Sequence, residues 1–423
     1  MPNRHSTLTS LFSDIADAIR AKTGSAASIV ADDFDTAIAA IPTGGGSSDN
    51  YFWFRNDEAE DGSIIITLYG SNWTEFPDLK YSNDKINWTN IVLNSTTNTQ
   101  FTFTIPSGTK VYIKNNSNLL SLNSSTDYVN INVDKYCSIG GSISSLVNDT
   151  DGNYIYPNCY HSLFSPTIYS SGGIQYADEL ELPLATAEGC YDHMFSNVGT
   201  LVTAPILPAK YVANNAYYYM FGYCNSLTSA PALPAKNLGG SCYFGMFFGC
   251  TSLTTAPVLP ATNIPNSAYA SMFKSCTSLT TAPVLPATTL SAGSTSCYNN
   301  MFAGCTSLIE PPALPATIIS ANCYNNMFKD CTSLVKVPAL PATTLALSCY
   351  ANMFSGCTSL KVYSASDTGH DKAWNIPNSG TITGTTRAQS NMFSDVITDN
   401  VPANFPGTTN TQFTYYTEYA PIE

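Results

Sequence analysis

Cys349-Tyr350-Ala351-Asn352-Met353-Phe354-Ser355-Gly356-Cys357-Thr358-Ser359-Leu360 is one copy of a phrase that recurs through half of the chain. Its Met-Phe dipeptide stands at 194, 220, 246, 272, 301, 327 and 353, in steps of 26, 26, 26, 29, 26 and 26 residues. Each copy runs on into a Pro-x-Leu-Pro-Ala segment, such as Pro257-Val258-Leu259-Pro260-Ala261. A fixed period in the twenties is the mark of stacked coils, each burying its apolar face only against its neighbours. The repeat core is then Met194, Phe195, Met220, Phe221, Met246, Phe247, Met272, Phe273, Met301, Phe302, Met327, Phe328, Met353 and Phe354.

Within the phrase, Cys349, Met353 and Cys357 lie four residues apart, with Tyr350 and Phe354 as a parallel pair. That spacing predicts the inward stripe of a short helix. The proline segment reads as extended, and Pro257, Pro283 and Pro338 should break any ladder there, since proline has no N–H to donate. A weak copy, Cys159-Tyr160-His161-Ser162-Leu163-Phe164, opens the series, and Asn391-Met392-Phe393 closes it after a 39-residue interval. Degenerate terminal coils are expected because the last apolar face must be capped. Trp374, Ile376, Pro377 and Phe413-Thr414-Tyr415-Tyr416 are the expected C-terminal cap.

Thirteen cysteines raise the question of disulfides or zinc. On the helical reading, eight residues separate the two sulfurs of a coil by about 12 Å. Stacked helices would hold equivalent residues about 8–10 Å apart, beyond the ~7 Å bridging limit. Packed columns are expected instead: Cys224, Cys250, Cys276, Cys305, Cys331 and Cys357 in one, Cys242, Cys297, Cys323 and Cys349 in the other. Ala216 and Ala268 stand in for cysteine in two coils, a replacement that packing tolerates and ligation does not.

The chain has 423 residues, enough for two or three units. Charged residues are 11%, against ~25% in an average soluble protein, so the surface must be made largely of Ser, Thr and Asn. A net charge of −13 with 17 Lys and Arg excludes a basic footprint for nucleic acid or anionic lipid. No run approaches the ~20 apolar residues of a membrane span, so membrane insertion is not expected. Residues 1–14 place acidic and hydroxyl side chains where a secretory signal has its apolar core, so no export signal is expected.

Two segments precede the repeats. In residues 1–43, Leu8, Leu11, Phe12, Ile15 and Ile19 recur at helical intervals, and Phe34 and Ile38 mark a second short helix. This predicts an α-helical hairpin, too small to be stable alone, whose stripe is covered by other copies or a partner. Residues 44–50 are a Gly/Ser linker. Over 51–150 the period becomes two, as in Ile64-Ile65-Ile66-Thr67-Leu68-Tyr69 and Phe101-Thr102-Phe103-Thr104-Ile105, predicting a small β-sandwich. Trp53, Trp73 and Trp88 are expected in its core rather than on a sugar platform.

Catalytic groups do not assemble in the sequence. His5, His161, His193 and His370 are scattered, there is no phosphate loop, and no nucleophile sits in an elbow, so no enzyme, metal or cofactor is expected. The repeats differ most at the two positions before Met and the two after Phe. Two neighbouring coils make these aromatic, with Tyr218, Tyr219, Tyr223, Phe244 and Phe248, a candidate contact for a ligand or partner.

The recurring Met-Phe-x-x-Cys-Thr-Ser-Leu phrase resembles the BspA-like leucine-rich-repeat surface proteins of bacteria and their phages. That resemblance implies an α/β solenoid of about 7–9 coils over 151–360, with a degenerate repeat and cap over 361–423. Leu79-Lys80-Tyr81-Ser82-Asn83-Asp84 and Ile139-Gly140-Gly141-Ser142-Ile143 resemble the domain that often precedes such repeats. Leu11-Phe12-Ser13-Asp14-Ile15-Ala16-Asp17-Ala18-Ile19-Arg20-Ala21-Lys22-Thr23-Gly24 is similar to the N-terminal module of phage tail and fibre proteins. The resemblance implies a virion structural protein made in the bacterial host cytoplasm: a tail fibre, baseplate or head appendage. It would attach to other virion proteins through residues 1–43, form a homo-oligomer such as a trimer, and display its repeats as adhesin to a host surface protein or glycan. A bacterial cell-surface adhesin and a ligand-free virion spacer are the alternatives.

Overall fold

The computed structural model describes residues 51–418 apart from 71–72, 74–75, 94–98, 118–126, 149–154, 167–171, 291–292, 343, 361–369, 377–387, 389 and 397–412. The helical hairpin expected over 1–43, with Leu8, Leu11, Phe12, Ile15, Ile19, Phe34 and Ile38, lies outside the described residues, as does the linker.

Alternating burial along β2 (Gly62–Tyr69) sets the first domain, with Ile64, Ile66 and Leu68 inward. β2 is the centre of a three-stranded antiparallel sheet, flanked by β5 (Gln100–Ile105) and β7 (Tyr128–Val133). The second sheet has six strands in the order β4 (Thr89–Asn90), β3 (Leu79–Ser82), β6 (Lys110–Asn115), β1 (Phe52–Asn56), β8 (Tyr136–Ser142) and β9 (Gly173–Glu181). Phe52 and Phe54 of β1 share one core with Ile64 and Ile66 of β2. A 3₁₀ turn, Ile143–Val147, follows β8. Trp53 is fully buried; Trp73 and Trp88 are only partly so.

The repeats correct the expected fold class. No α-helix occurs among the described residues, so the coils are not the α/β leucine-rich-repeat solenoid that the resemblance implied. The Cys-Tyr-x-x-Met-Phe phrase is instead a ribbon of successive turns. Every fourth residue has positive φ: Asn215, Tyr219 and Tyr223 in one coil, Ser241, Gly245 and Gly249 in the next, then Ser267, Ser271 and Ser275. A left-handed residue every fourth position forbids a helix. The spacing of four was real, but it is the period of the turn.

The hydrogen bonds explain why this ribbon is stable in a stack. Alternate N–H groups turn back three residues, as Tyr218 to Asn215, Met220 to Tyr217 and Gly222 to Tyr219. The N–H groups between them cross to the following coil: Tyr217 to Cys242, Tyr219 to Phe244, Phe221 to Met246 and Tyr223 to Phe248. The carbonyls alternate in the same way, so buried backbone groups along the ribbon are paired. Because coils are joined directly by backbone bonds, equivalent side chains sit closer than the helix spacing assumed above. Rings of Tyr217 and Tyr243 stack at 5.7 Å, Tyr243 and Tyr269 at 5.8 Å, and Phe221 and Phe247 at 5.7 Å.

All fourteen Met and Phe residues of the regular copies, Met194 to Phe354, are buried. The phenylalanine column starts at Phe164 and ends at Phe393, which stacks on Phe354 at 5.3 Å. The excursion between them holds β12 (His370–Ile376), whose backbone pairs antiparallel with β13 (Phe413–Glu418). On the extended side, among the described residues, only a two-residue parallel pair, β10 (Tyr211–Val212) with β11 (Asn237–Leu238), and single bridges such as Thr255 to Thr281 are present. The prolines that follow the bridged residues Thr203, Ser229, Thr255, Thr281 and Glu310 remove the donors a longer ladder needs.

The sandwich closes the N-terminal face of the stack. Strand β9 pairs in parallel with β8, and its Tyr176 bridges on to Thr203. Phe52 stacks on Phe164 at 5.5 Å, Ile131 N–H donates to the Leu163 carbonyl, and Asn130 Nδ2 donates to the carbonyls of Ser162 and Ser165. Sandwich and coils form one continuous core.

Candidate functional site

The two positions before Met and the two after Phe lie on the outer side of the turn ribbon, while Tyr, Met, Phe and Cys point in. Outer side chains of adjacent coils are therefore brought as close as the inner ones. Tyr218 stacks on Phe244 at 5.0 Å, Tyr219 packs against Phe248 at 5.6 Å and Phe244 at 5.7 Å, and Tyr223 lies 5.1 Å from Phe248. The structure thus brings Tyr218, Tyr219, Tyr223, Phe244 and Phe248 into one patch. All but Tyr223 are partly buried by their neighbours; Tyr223 is 44% exposed. Burial raises the phenol pKa of Tyr218 and Tyr219, so both rings are neutral hydroxyl bearers.

Two glycines set the rings flat. A Cβ on Gly245 would come within 2.6 Å of the Tyr219 ring, and one on Gly249 within 2.7 Å of the Tyr223 ring. Both glycines have positive φ, so they also relieve the backbone there.

The patch is the middle of a longer track. Toward the sandwich, His193 stacks on Tyr219 at 5.3 Å with an interplanar angle of 9°, and His161 lies 6.1 Å from His193. Tyr128 meets His161 edge-on at 5.2 Å and stacks on Tyr69 at 5.1 Å. In the other direction Lys274 Nζ lies over Phe248 at 5.5 Å. Lys274 then borders a polar cleft of about 190 Å³ with Ser275, Asn300, Asn326, Lys329 and Asp330.

Two of the four scattered histidines, His161 and His193, are thereby joined. Asp192 Oδ2 meets His161 Nδ1 at 3.1 Å and Asp192 Oδ1 meets His193 Nδ1 at 2.5 Å. Burial pushes the Asp192 carboxyl up, but hydrogen bonds from both imidazoles outweigh it and hold it below its ordinary value. Aligning the weak first copy, Cys159-Tyr160-His161-Ser162, with Cys190-Tyr191-Asp192-His193 puts His161 beside Asp192. That alignment was the available signal. Tyr69, Tyr128 and the polar cleft had none, since they join the track only through the fold.

All thirteen cysteines are buried and free. Desolvation raises the pKa of every thiol, to about 12 for Cys250, Cys297 and Cys331, so none is an activated nucleophile. Hydrogen-bonded coils lie about 4.8 Å apart rather than the roughly 8–10 Å expected of stacked helices, so equivalent cysteines fall within bridging range. Direction decides the matter: in stacked coils equivalent Cβ vectors run parallel, whereas a disulfide needs them to converge to about 3.8 Å. No helix among the described residues is long and apolar enough to cross a membrane. No protein-family model, curated protein or solved structure matches the chain.

Proposed function

We propose that this protein is a structural component of a phage virion that binds the host surface through the ring track, with a glycan as ligand. The observation that carries this reading is the chain of ring-to-ring contacts, stacked, tilted and edge-on, from Tyr69 to Phe248, leading into a cleft of amide, ammonium and carboxylate groups. Sugar rings present apolar C–H faces and peripheral hydroxyls, and a site that combines aromatic faces with a few convergent polar groups suits them. The resemblance of residues 1–43 to phage tail and fibre modules supports attachment to the particle and oligomer formation through that segment.

Glycan-array binding of the purified chain, with Tyr219→Ala and Phe248→Ala as comparisons, tests the track. Binding should fall more than about tenfold in each variant, as for truncation of interface hot spots, and blocking of phage adsorption should fall with it. No retained glycan, or binding unaffected by both changes, refutes the reading. Removal of residues 1–48 should release the chain from its particle while glycan binding persists. Normal assembly of the truncated chain would refute the attachment role.

A further inference from the structure

We infer that His161, Asp192 and His193 form a binding site for a divalent transition-metal ion at the junction of the sandwich and the first two coils. The three side chains each offer a ligand atom, and these atoms lie within 4.8 Å of one another. Two imidazoles and a carboxylate are the donors that zinc and its neighbours prefer, whereas calcium and magnesium call for oxygen ligands throughout.

Four observations suit the cluster to coordination. First, both Nδ1 atoms converge on the two oxygens of one carboxylate, at 3.1 and 2.5 Å. With metal–nitrogen bonds of about 2.0–2.1 Å, tetrahedral ligands stand roughly 3.3 Å apart, so a small outward movement admits the ion. Second, the far ring nitrogen of His161, Nε2, is 3.2 Å from Ser162 Oγ. An outer partner of this kind fixes the ring and its tautomer in metal sites. Third, the backbone is held by the stack: Ser162 N–H donates to the Asp192 carbonyl and His193 N–H to the Tyr218 carbonyl. Fourth, there is an entry path. The His161 side chain is 9% exposed, but Asp192 and His193 are 19% and 35% exposed, leaving room for water to complete the coordination.

The ion would clip the first coil, which carries His161, to the second, which carries Asp192 and His193. His161 also packs against Tyr128 of strand β7, so the clip reaches the sandwich. The inference does not depend on the track binding a saccharide.

The test is titration of the full chain with Zn²⁺ alone by calorimetry, and with Co²⁺ followed by its visible absorption. The expected result is one ion per chain, an intense Co²⁺ spectrum of low coordination number, and a rise in melting temperature on Zn²⁺ addition. His193→Gln, at a half-exposed side chain that leaves the core untouched, should weaken Zn²⁺ more than about tenfold, in line with the sensitivity of metal sites to their surroundings. Asp192→Asn should do the same and abolish the Co²⁺ bands. Absence of uptake at tenfold excess, or uptake and spectrum unchanged in His193→Gln, overturns the site. Glycan binding read in Asp192→Asn keeps the two proposals apart, since that change removes no ring of the track, whereas His193→Gln removes the ring that stacks on Tyr219.

Discussion

The thiol of Cys250 donates to the carbonyl oxygen of Phe221, one coil earlier, at 3.1 Å, and that same oxygen accepts the N–H of Cys224. The relationship repeats from Cys276 to Phe247, Cys305 to Phe273, Cys331 to Phe302 and Cys357 to Phe328, each at 3.0 Å. The thiols therefore fill space between columns and also tie each coil to its predecessor. Their protonated form is the one the fold requires. In the unfolded chain a thiol loses its proton near its ordinary value of 9.0, while in the folded chain Cys250 keeps it to about 12. Between those values the unfolded state releases protons that the folded state holds, so stability falls as pH rises, by up to about 1.4 kcal/mol per pH unit per thiol. Urea midpoints should be flat below pH 8 and drop steeply above pH 9. A thiol reagent at pH 8 should label no cysteine until denaturant is added. Rapid labelling of the native chain, or a midpoint constant to pH 10, would contradict the buried thiol columns.

Phe302 stacks between Phe273 at 5.8 Å and Phe328 at 5.7 Å and is fully buried. Its truncation to alanine leaves a void that two neighbouring coils share and cannot close without breaking backbone bonds. Loss of about 3–5 kcal/mol is expected, as for deep aromatic truncations. Because each coil touches only its neighbours, protection in hydrogen exchange should drop around 273–328 and be preserved in the sandwich. A uniform loss of protection would mean the chain unfolds as one unit.

The tyrosine column behaves differently at its hydroxyls. The buried hydroxyls of Tyr191, Tyr217, Tyr269 and Tyr298 have no hydrogen-bond partner. An unpaired buried hydroxyl costs about 1–3 kcal/mol, while the ring itself supplies the stacking. Tyr269→Phe should leave stability unchanged or raise it by up to about 1 kcal/mol. A marked destabilisation in thermal melts would show that the hydroxyl is held by a partner, such as an ordered water.

Asn352 occupies the left-handed region at φ 52°. The equivalent residues are Asn326, Asn300, Ser271, Gly245 and Tyr219, each also at positive φ. Left-handed backbone costs an ordinary residue about 1–2 kcal/mol, least for Asn and Gly and most for a β-branched side chain. Asn352→Gly should be near neutral, while Asn352→Val should cost about 2 kcal/mol or more. Equal stability of the two variants in denaturant unfolding would contradict the turn ribbon.

That series also shows where the sequence could be read and where it could not. The period, the inward Tyr-Met-Phe-Cys set and the outward variable positions follow from recurrence alone. The local conformation did not, because a spacing of four fits both an amphipathic helix and a four-residue turn. The serines and asparagines at 215, 241, 267, 296, 322 and 348 were the discriminating signal, since helices have no reason to place Ser or Asn there so regularly. The wrong conformation then propagated to the coil spacing and to the reason why the cysteines stay apart. Tyr218, Tyr219, Tyr223, Phe244 and Phe248 were legible because they sit in aligned copies. Tyr69 and Tyr128 were not, since they come from strands whose docking on the first coil no repeat encodes.

Gly245 offers a test of the track that spares its side chains. Its φ is +59°, and a Cβ there would stand 2.6–2.8 Å from three atoms of the Tyr219 ring. Gly245→Ala therefore strains the backbone by about 1 kcal/mol and pushes Tyr219 off the surface on which it lies flat. Tyr219 is also the ring that carries His193 and meets Phe244 and Phe248. Displacing it interrupts the track at its centre while the inner Tyr243, Met246 and Phe247 remain buried. Glycan binding should fall about as far as in Tyr219→Ala, with a melting point lowered by only a few degrees. Full binding by Gly245→Ala would show that the placement of Tyr219 between its neighbouring rings plays no part in recognition, even if individual rings do.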